Sequence, residues 1–243
     1  MKESHKEHVG IFKSGLIKLA KIIWIIIKSF FEAITWDFYN NIKKYWKKYL
    51  KGKQIVAKEE PKPEPKEEQL EICIGAILTQ STSWKNVEKA LLALKLSGLL
   101  NKEKLQSVNL AKLARTIKPA GYFNQKAKKI KSFVKYKGKI TREELLIIWG
   151  CGPETVDSIL LYAYNKPVFV IDAYTKRIMS RLGLCDKNIS YEELQDMFHK
   201  NLRKDYYLFN EFHALFVEHA KQYCRTKPVC ADCQLKNMCK KIL

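Results

Sequence analysis

Residues 141–184 read TREELLIIWGCGPETVDSILLYAYNKPVFVIDAYTKRIMSRLGL, and their reading decides the fold. Thr141 can cap a first short helix, with Glu144 placed to complete a capping box. A tight turn, Gly150-Cys151-Gly152-Pro153, leads into a second amphipathic helix expected from about Glu154 to Tyr164. Lys166-Pro167 stops that helix, because proline lacks an N–H and disfavours helix in the residue before it. The short apolar run from Val168 to Ile171 then delivers Asp172 to the mouth of a helix starting at Ala173. A Gly-x-Gly turn leaves backbone N–H groups at a helix start with no β-carbons in the way, so Gly150 and Gly152 can let a phosphate approach closely. Such a grip is blind to base sequence. Taken alone, the same glycines also suit an ordinary helix–helix turn, and Asp172 suits an ordinary N-cap.

Outward from this unit, residues 69–164 show helical rather than alternating spacing. The spacing predicts helices over about 70–78, 86–96, 101–108, 110–117 and 125–137, the third and fourth each started by an asparagine. The face that the last of these exposes is expected to be nearly all lysine. The class is therefore all-α, with a helical barrel at 69–166 that contains the hairpin and a second helical lobe at 167–243. Residues 57–68, centred on KEEPKPEPKEE, read as a charged, proline-rich linker. Before it, residues 1–56 form a helical appendage expected to pack on the second lobe. Its run LIKLAKIIWIIIKSFF, 16–31, is apolar but interrupted by Lys18, Lys21 and Lys28, a basic amphipathic pattern rather than a membrane span.

The chain has 243 residues and 45 lysines and arginines against 25 acidic residues, a net charge of +20 that favours a polyanionic partner. Nucleic acid is the commonest polyanion and an acidic membrane surface the second. Seven cysteines, of which Cys224, Cys230, Cys233 and Cys239 crowd the C-terminal end, do not form the pattern of a secreted disulfide framework. No signal peptide is recognised, so a reducing cytoplasmic compartment is expected. The spacing Cys224-x5-Cys230-x2-Cys233-x5-Cys239 suits a four-thiolate metal site, zinc or iron–sulfur, and spacing alone does not separate them. Cys73, Cys151 and Cys185 read as small core residues, and His213 and His219 as structural polar groups.

The stretch GCGPETVDSILLYAYNKPVFVIDAYTKRI resembles the helix-hairpin-helix, Gly/Pro-rich loop and aspartate signature of the endonuclease III superfamily of DNA glycosylases. GAILTQSTSWKNVEKAL, 75–91, resembles the loop of that superfamily carrying the residue inserted into the duplex, and FNEFHALFVEHAKQYC, 209–224, the helix leading into its iron–sulfur loop. The resemblance implies a two-lobed fold with duplex DNA between the lobes, bound by a monomer at the nucleoid. It places the essential carboxylate on Asp172 and the inserted residue on Gln80, and implies a [4Fe-4S] cluster on the four C-terminal cysteines. The first cysteine gap is one residue shorter than in endonuclease III itself, a spacing that related members share. Bifunctional members carry a Schiff-base lysine at the start of the second hairpin helix. Here that position is Glu154, which implies base removal by water without strand cleavage. LTQSTSWKNVEKA and GPETVDSILLYAYNKP look most like the 3-methyladenine DNA glycosylase branch, which implies an alkylated purine substrate and puts Trp84 at the base pocket. The paired tryptophans that branch tends to carry before its first barrel helix are absent, the charged linker standing there, with Trp36 or Trp46 as possible substitutes. Two further activities stay open at this point: a glycosylase/lyase for oxidised pyrimidines with a relocated lysine, and a non-catalytic iron–sulfur DNA-binding protein.

Overall fold

The computed structural model describes residues 66–233 and 235–241; the readings made for residues 1–56 and for the tryptophans at 36 and 46 lie outside them. The described residues form helices joined by short loops, with no strand among them. In chain order they are α1 (Lys66–Thr79), α2 (Trp84–Leu96), α3 (Lys102–Ser107), α4 (Leu110–Thr116), a 3-10 turn (Lys118–Ala120), α5 (Phe123–Lys135), α6 (Arg142–Leu146), α7 (Pro153–Ser158), α8 (Ala173–Leu182), α9 (Tyr191–Asn201) and α10 (Tyr206–Gln222). α7 runs on into a π-helical turn, Ile159–Ala163.

The local signals act as their chemistry requires. Asn101 and Asn109 accept backbone N–H bonds from Lys104 and Ala111, starting α3 and α4. Ser190 and Glu193 form a complete capping box on α9. Three expectations change. α1 begins at Lys66, inside the stretch read as linker; Glu67 and Glu68 in its first turn suit a helix start, where the dipole favours negative charge. Thr141 accepts from the Glu144 N–H at 3.4 Å, but the box is not closed, because the Glu144 carboxylate takes the Tyr136 hydroxyl instead. The lysine face of α5 is not wholly exposed. Lys126 is only 2 % exposed, with its amine donating to Leu78 O at 2.9 Å and Ala120 O at 2.8 Å. Burial, with Lys129 nearby, lowers its pKa to about 8.

Two apolar cores result. The first gathers Ile74, Ile77, Leu94, Ile130, Val156 and Ile159 from α1 to α7. The second is aromatic: Phe169, Phe198, Phe209, Phe212 and Phe216, with Phe169 stacked on Phe198 at 3.9 Å between centroids. Each such side chain contributes about 1.5–3 kcal/mol on burial. The π turn is shared: Ile159, Leu160 and Ala163 face the first core and Leu161 the second. The chain leaves this shared wall through Asn165, at φ +51°, and runs without helix over 166–171 to Asp172.

Candidate active site

Asp172 caps α8, and its Oδ1 accepts from Thr175 N at 2.7 Å and Thr175 Oγ1 at 2.8 Å. Its Oδ2 lies 3.5 Å from His213 Nε2, and its side chain keeps 12 % exposure. Burial alone would push this carboxyl up, but the His213 imidazole and the two Thr175 bonds outweigh it and hold the pKa below the usual value. The site therefore favours a carboxylate that is charged, oriented and still open to solvent along one edge. His213 was read from the sequence as structural, yet it is the side chain facing Asp172. Its Nδ1 meets the Tyr162 hydroxyl at 2.5 Å, and Tyr162 lies in the π turn.

The non-helical segment that carries Asp172 is bound side-on by α9. Phe169 N donates to His199 Nε2 at 2.9 Å, Phe169 O accepts from Gln195 Nε2 at 2.7 Å, and Ile171 N donates to the Tyr191 hydroxyl at 3.3 Å. These three side chains sit four residues apart on one helical face. Two of them, Tyr191 and Gln195, converge on Asp157, which is 0 % exposed. It accepts from Arg142 Nε at 2.7 Å and Nη2 at 3.2 Å, from Tyr191 at 2.8 Å and from Gln195 at 2.7 Å. A buried carboxylate in α7 thus ties the hairpin to α9, and α9 ties down the backbone that presents Asp172. None of Asp157, Tyr191, Gln195 or His199 was singled out in the sequence, although the repeat of polar groups at spacing four on α9 was a readable signal.

The hairpin glycines differ in what requires them. Gly150 has φ +87°, and a β-carbon there would lie 2.4 Å from Lys129 Cγ, so no side chain is accommodated. Gly152 caps α7 with ordinary extended backbone, and nothing lies within 4 Å of a β-carbon placed on it. The space it leaves is open outward. Gln80 closes onto the same turn: its Nε2 donates to Gly150 O and Thr155 Oγ1, both at 2.9 Å, while its Oε1 accepts from Lys129 Nζ. Gln80, Lys129, the hairpin and Glu154 line one broad open cleft. Glu154 is exposed, but its carboxyl is crowded on one side; that burial and the charge of Asp172 raise its pKa, with His213 opposing. Trp84 begins α2 with its ring edge against Gly75 and is 53 % exposed, so it is no core tryptophan; it does not line this cleft. Tyr122 and Trp149 are further exposed aromatics that the sequence reading had not selected.

At the far end of α8, Arg177 Nε donates to Cys224 O at 2.7 Å, and Arg181 donates to Arg225 O at 2.6 Å and Thr226 O at 3.0 Å. Cys224, Cys230, Cys233 and Cys239 all line one cavity of about 90 Å³, together with His219 and Arg181. No three potential ligands among the described residues converge closely enough to hold a single metal ion. Four thiols around one cavity are a donor set that suits a zinc ion or an iron–sulfur cluster. Cys73 and Cys151 are buried, and Cys185 is half-buried against the second core.

The profile of the HhH-GPD superfamily of base excision DNA repair proteins matches residues 74–204, and the chain belongs to that superfamily. A Methanocaldococcus jannaschii protein named provisionally as a DNA repair glycosylase is 46 % identical over 191 residues, 72 % of this chain and 87 % of that relative. Endonuclease III of Thermotoga maritima is 29 % identical over 192 residues, covering 76 % and 88 %. Among solved structures, the H. pylori 3-methyladenine DNA glycosylase MagIII bound to 1,N6-ethenoadenine superposes with a TM-score of 0.65 at 28 % identity, over 77 % of this chain and 97 % of that one. An endonuclease III–DNA complex shares the fold, with a TM-score of 0.69 at 19 % identity over 85 % and 95 %.

Proposed function

We propose that this protein is a monofunctional DNA N-glycosylase that swings a damaged base, an alkylated purine, out of the duplex, hydrolyses its N-glycosidic bond and leaves an abasic site. The observation that carries the reading is Asp172: a carboxylate favoured in its charged form, fixed through one oxygen by Thr175 and open along one edge. As the C–N bond breaks, its electron pair leaves on the base and positive charge builds on the sugar. Asp172 stabilises that charge. Water forms the new C–O bond and gives its proton to the carboxylate. Glu154 stands where a lyase lysine would stand and cannot form a Schiff base. Lys166 is exposed, and the Lys176 amine is occupied by Ile189 O at 2.7 Å.

The open space beside Gly152 supports a backbone grip on a phosphate of duplex DNA, with Gly150 setting the turn. Gln80 fills the gap left by the flipped base, exchanging its bonds to Gly150 and Thr155 for the stranded partner base. Trp84, exposed and electron-rich, stacks on a cationic alkylated base. The likeness to MagIII, whose structure holds 1,N6-ethenoadenine, supports this substrate class. Cys224, Cys230, Cys233 and Cys239 hold a [4Fe-4S] cluster that orders the C-terminal loop and presents its basic residues, Arg225 and Lys227 among them, to phosphates. The enzyme acts as a monomer, in the reducing cytoplasm at the nucleoid. Among the described residues no helix is long and apolar enough to cross a membrane.

One assay tests the reading. Duplexes carrying 3-methyladenine, 7-methylguanine, thymine glycol or uracil are offered, and free base and strand breaks are measured before and after alkali. Free alkylated base with breaks only after alkali is expected. Breaks without alkali, trapped by borohydride, indicate a lyase; binding with no release indicates a non-catalytic protein. For the cofactor, absorbance near 400 nm with iron in the purified protein is expected, and stoichiometric zinc without iron overturns it.

A further inference from the structure

We infer that His213, held by Tyr162, is the positioning residue of this site: it aims an N–H at the free oxygen of Asp172. The inference rests on the reading of Asp172 as the reacting carboxylate. His213 is 9 % exposed, and its buried Nε2 has no hydrogen-bond partner; it faces Asp172 Oδ2 at 3.5 Å. Nδ1 is taken by the Tyr162 hydroxyl.

That pairing limits where the protons can sit. If the phenol donates to Nδ1, a neutral imidazole must carry its hydrogen on Nε2, toward Asp172. If the imidazole is charged, both nitrogens carry hydrogens and the phenol oxygen accepts at Nδ1. The remaining tautomer would turn a lone pair of Nε2 onto a carboxylate oxygen and is repelled. Burial and the charge of Asp172 push the Tyr162 phenol up, so it stays protonated and able to donate. Both acceptable states place an N–H against Oδ2, while Thr175 holds Oδ1 through two bonds. The carboxylate is thereby bound at Oδ1 and faced by an N–H, at 3.5 Å, at Oδ2.

The groups facing Asp172 are few: His213 from α10, Tyr162 from the π turn, Glu154 from α7 and Thr175 from α8. Glu154 repels a charged Asp172, and Tyr162 is neutral. His213 is therefore the group among these that can answer the negative charge of Asp172, at a site where the lyase lysine is missing.

Three variants test this. His213→Gln keeps an amide donor without the charge, His213→Ala removes both, and Tyr162→Phe leaves Nδ1 unpaired and frees the tautomer. Two measurements are made on each full-length protein: the pH profile of base release under single turnover, and the titration of the Asp172 carboxyl followed by carbon NMR. With the imidazole gone, burial and Glu154 raise the Asp172 pKa, so activity is lost at higher pH on the acid side. His213→Gln is expected to move that limb and the NMR titration up by about one pH unit, with duplex binding unchanged. His213→Ala should show the same shift and lose base release by roughly tenfold to a hundredfold. Tyr162→Phe should shift both in the same direction by less, and it serves if the His213 variants fold poorly. An Asp172 titration unmoved in both His213→Gln and Tyr162→Phe overturns the inference. If wild-type protein releases no base but the titration moves, the positioning role stands and only the glycosylase reading fails.

Discussion

Asp157 and Asp172 lie close in sequence and are treated in opposite ways. Asp157 has no solvent exposure and accepts four hydrogen bonds, from Arg142, Tyr191 and Gln195. Asp172 has one oxygen saturated by Thr175 and the other met only by His213 at 3.5 Å. A saturated buried carboxylate is a fixture: it holds two lobes together and has nothing left to offer a substrate. An under-coordinated carboxylate, kept charged and still partly exposed, is one that can react. The hairpin glycines repeat the contrast, Gly150 being closed by Lys129 and Gly152 open.

The comparison can be broken most severely at Asp172. Asp172→Asn keeps the cap and the volume but loses the charge, and base release should fall by more than about a hundredfold while duplex binding in a gel-shift assay is kept. Release within about threefold of wild type would remove Asp172 from the chemistry. At Asp157 the loss should instead appear in stability. Asp157→Ala leaves the Arg142 guanidinium, Tyr191 and Gln195 without their acceptor and should cost about 3–5 kcal/mol in urea denaturation. Asp157→Asn should cost less, but slow base release, because the Tyr191 and Gln195 contacts that seat residues 169–171 are disturbed.

The glycines sharpen the same contrast at smaller scale. Gly150→Ala forces a β-carbon to φ +87° and into Lys129, and should destabilise by about 1–3 kcal/mol. Gly152→Ala meets nothing inside the protein and should leave the melting temperature nearly unchanged while weakening duplex binding. Unchanged binding would mean that no phosphate sits there. The smallest effect belongs to Lys126, a closed group like Asp157. Its folded pKa of about 8 lies below the ordinary 10.5, so between these values the unfolded chain binds more protons. Wild type should therefore gain stability relative to Lys126→Met as pH rises through that window, and lose that advantage below it. Parallel stability curves for the two proteins would place the Lys126 pKa near its ordinary value.

What was legible in the sequence is local. The asparagine caps of α3 and α4, the glycine turn and the Asp172 cap follow from chemistry within a few residues of each position. The capping box at Thr141 failed because Glu144 found Tyr136, which is a tertiary choice between two donors. Lys126 was misplaced on an exposed face for the same reason: its spacing on α5 says nothing of the two carbonyl groups waiting at Leu78 and Ala120. His213 could not be assigned, since its partners Tyr162 and Asp172 come from distant parts of the chain.

By itself the sequence determined that the described residues are helical, with a glycine hairpin, a glutamate at the start of its second helix, an aspartate at the next helix start, and four cysteines at one end. These follow from turn and capping rules that act over one or two helical turns. Only the tertiary structure decided which carboxylate is saturated and which is left open. That depends on where two separate cores bring polar groups from α6, α7, α9 and α10 together, and burial permits such groups only where their partners are already in place.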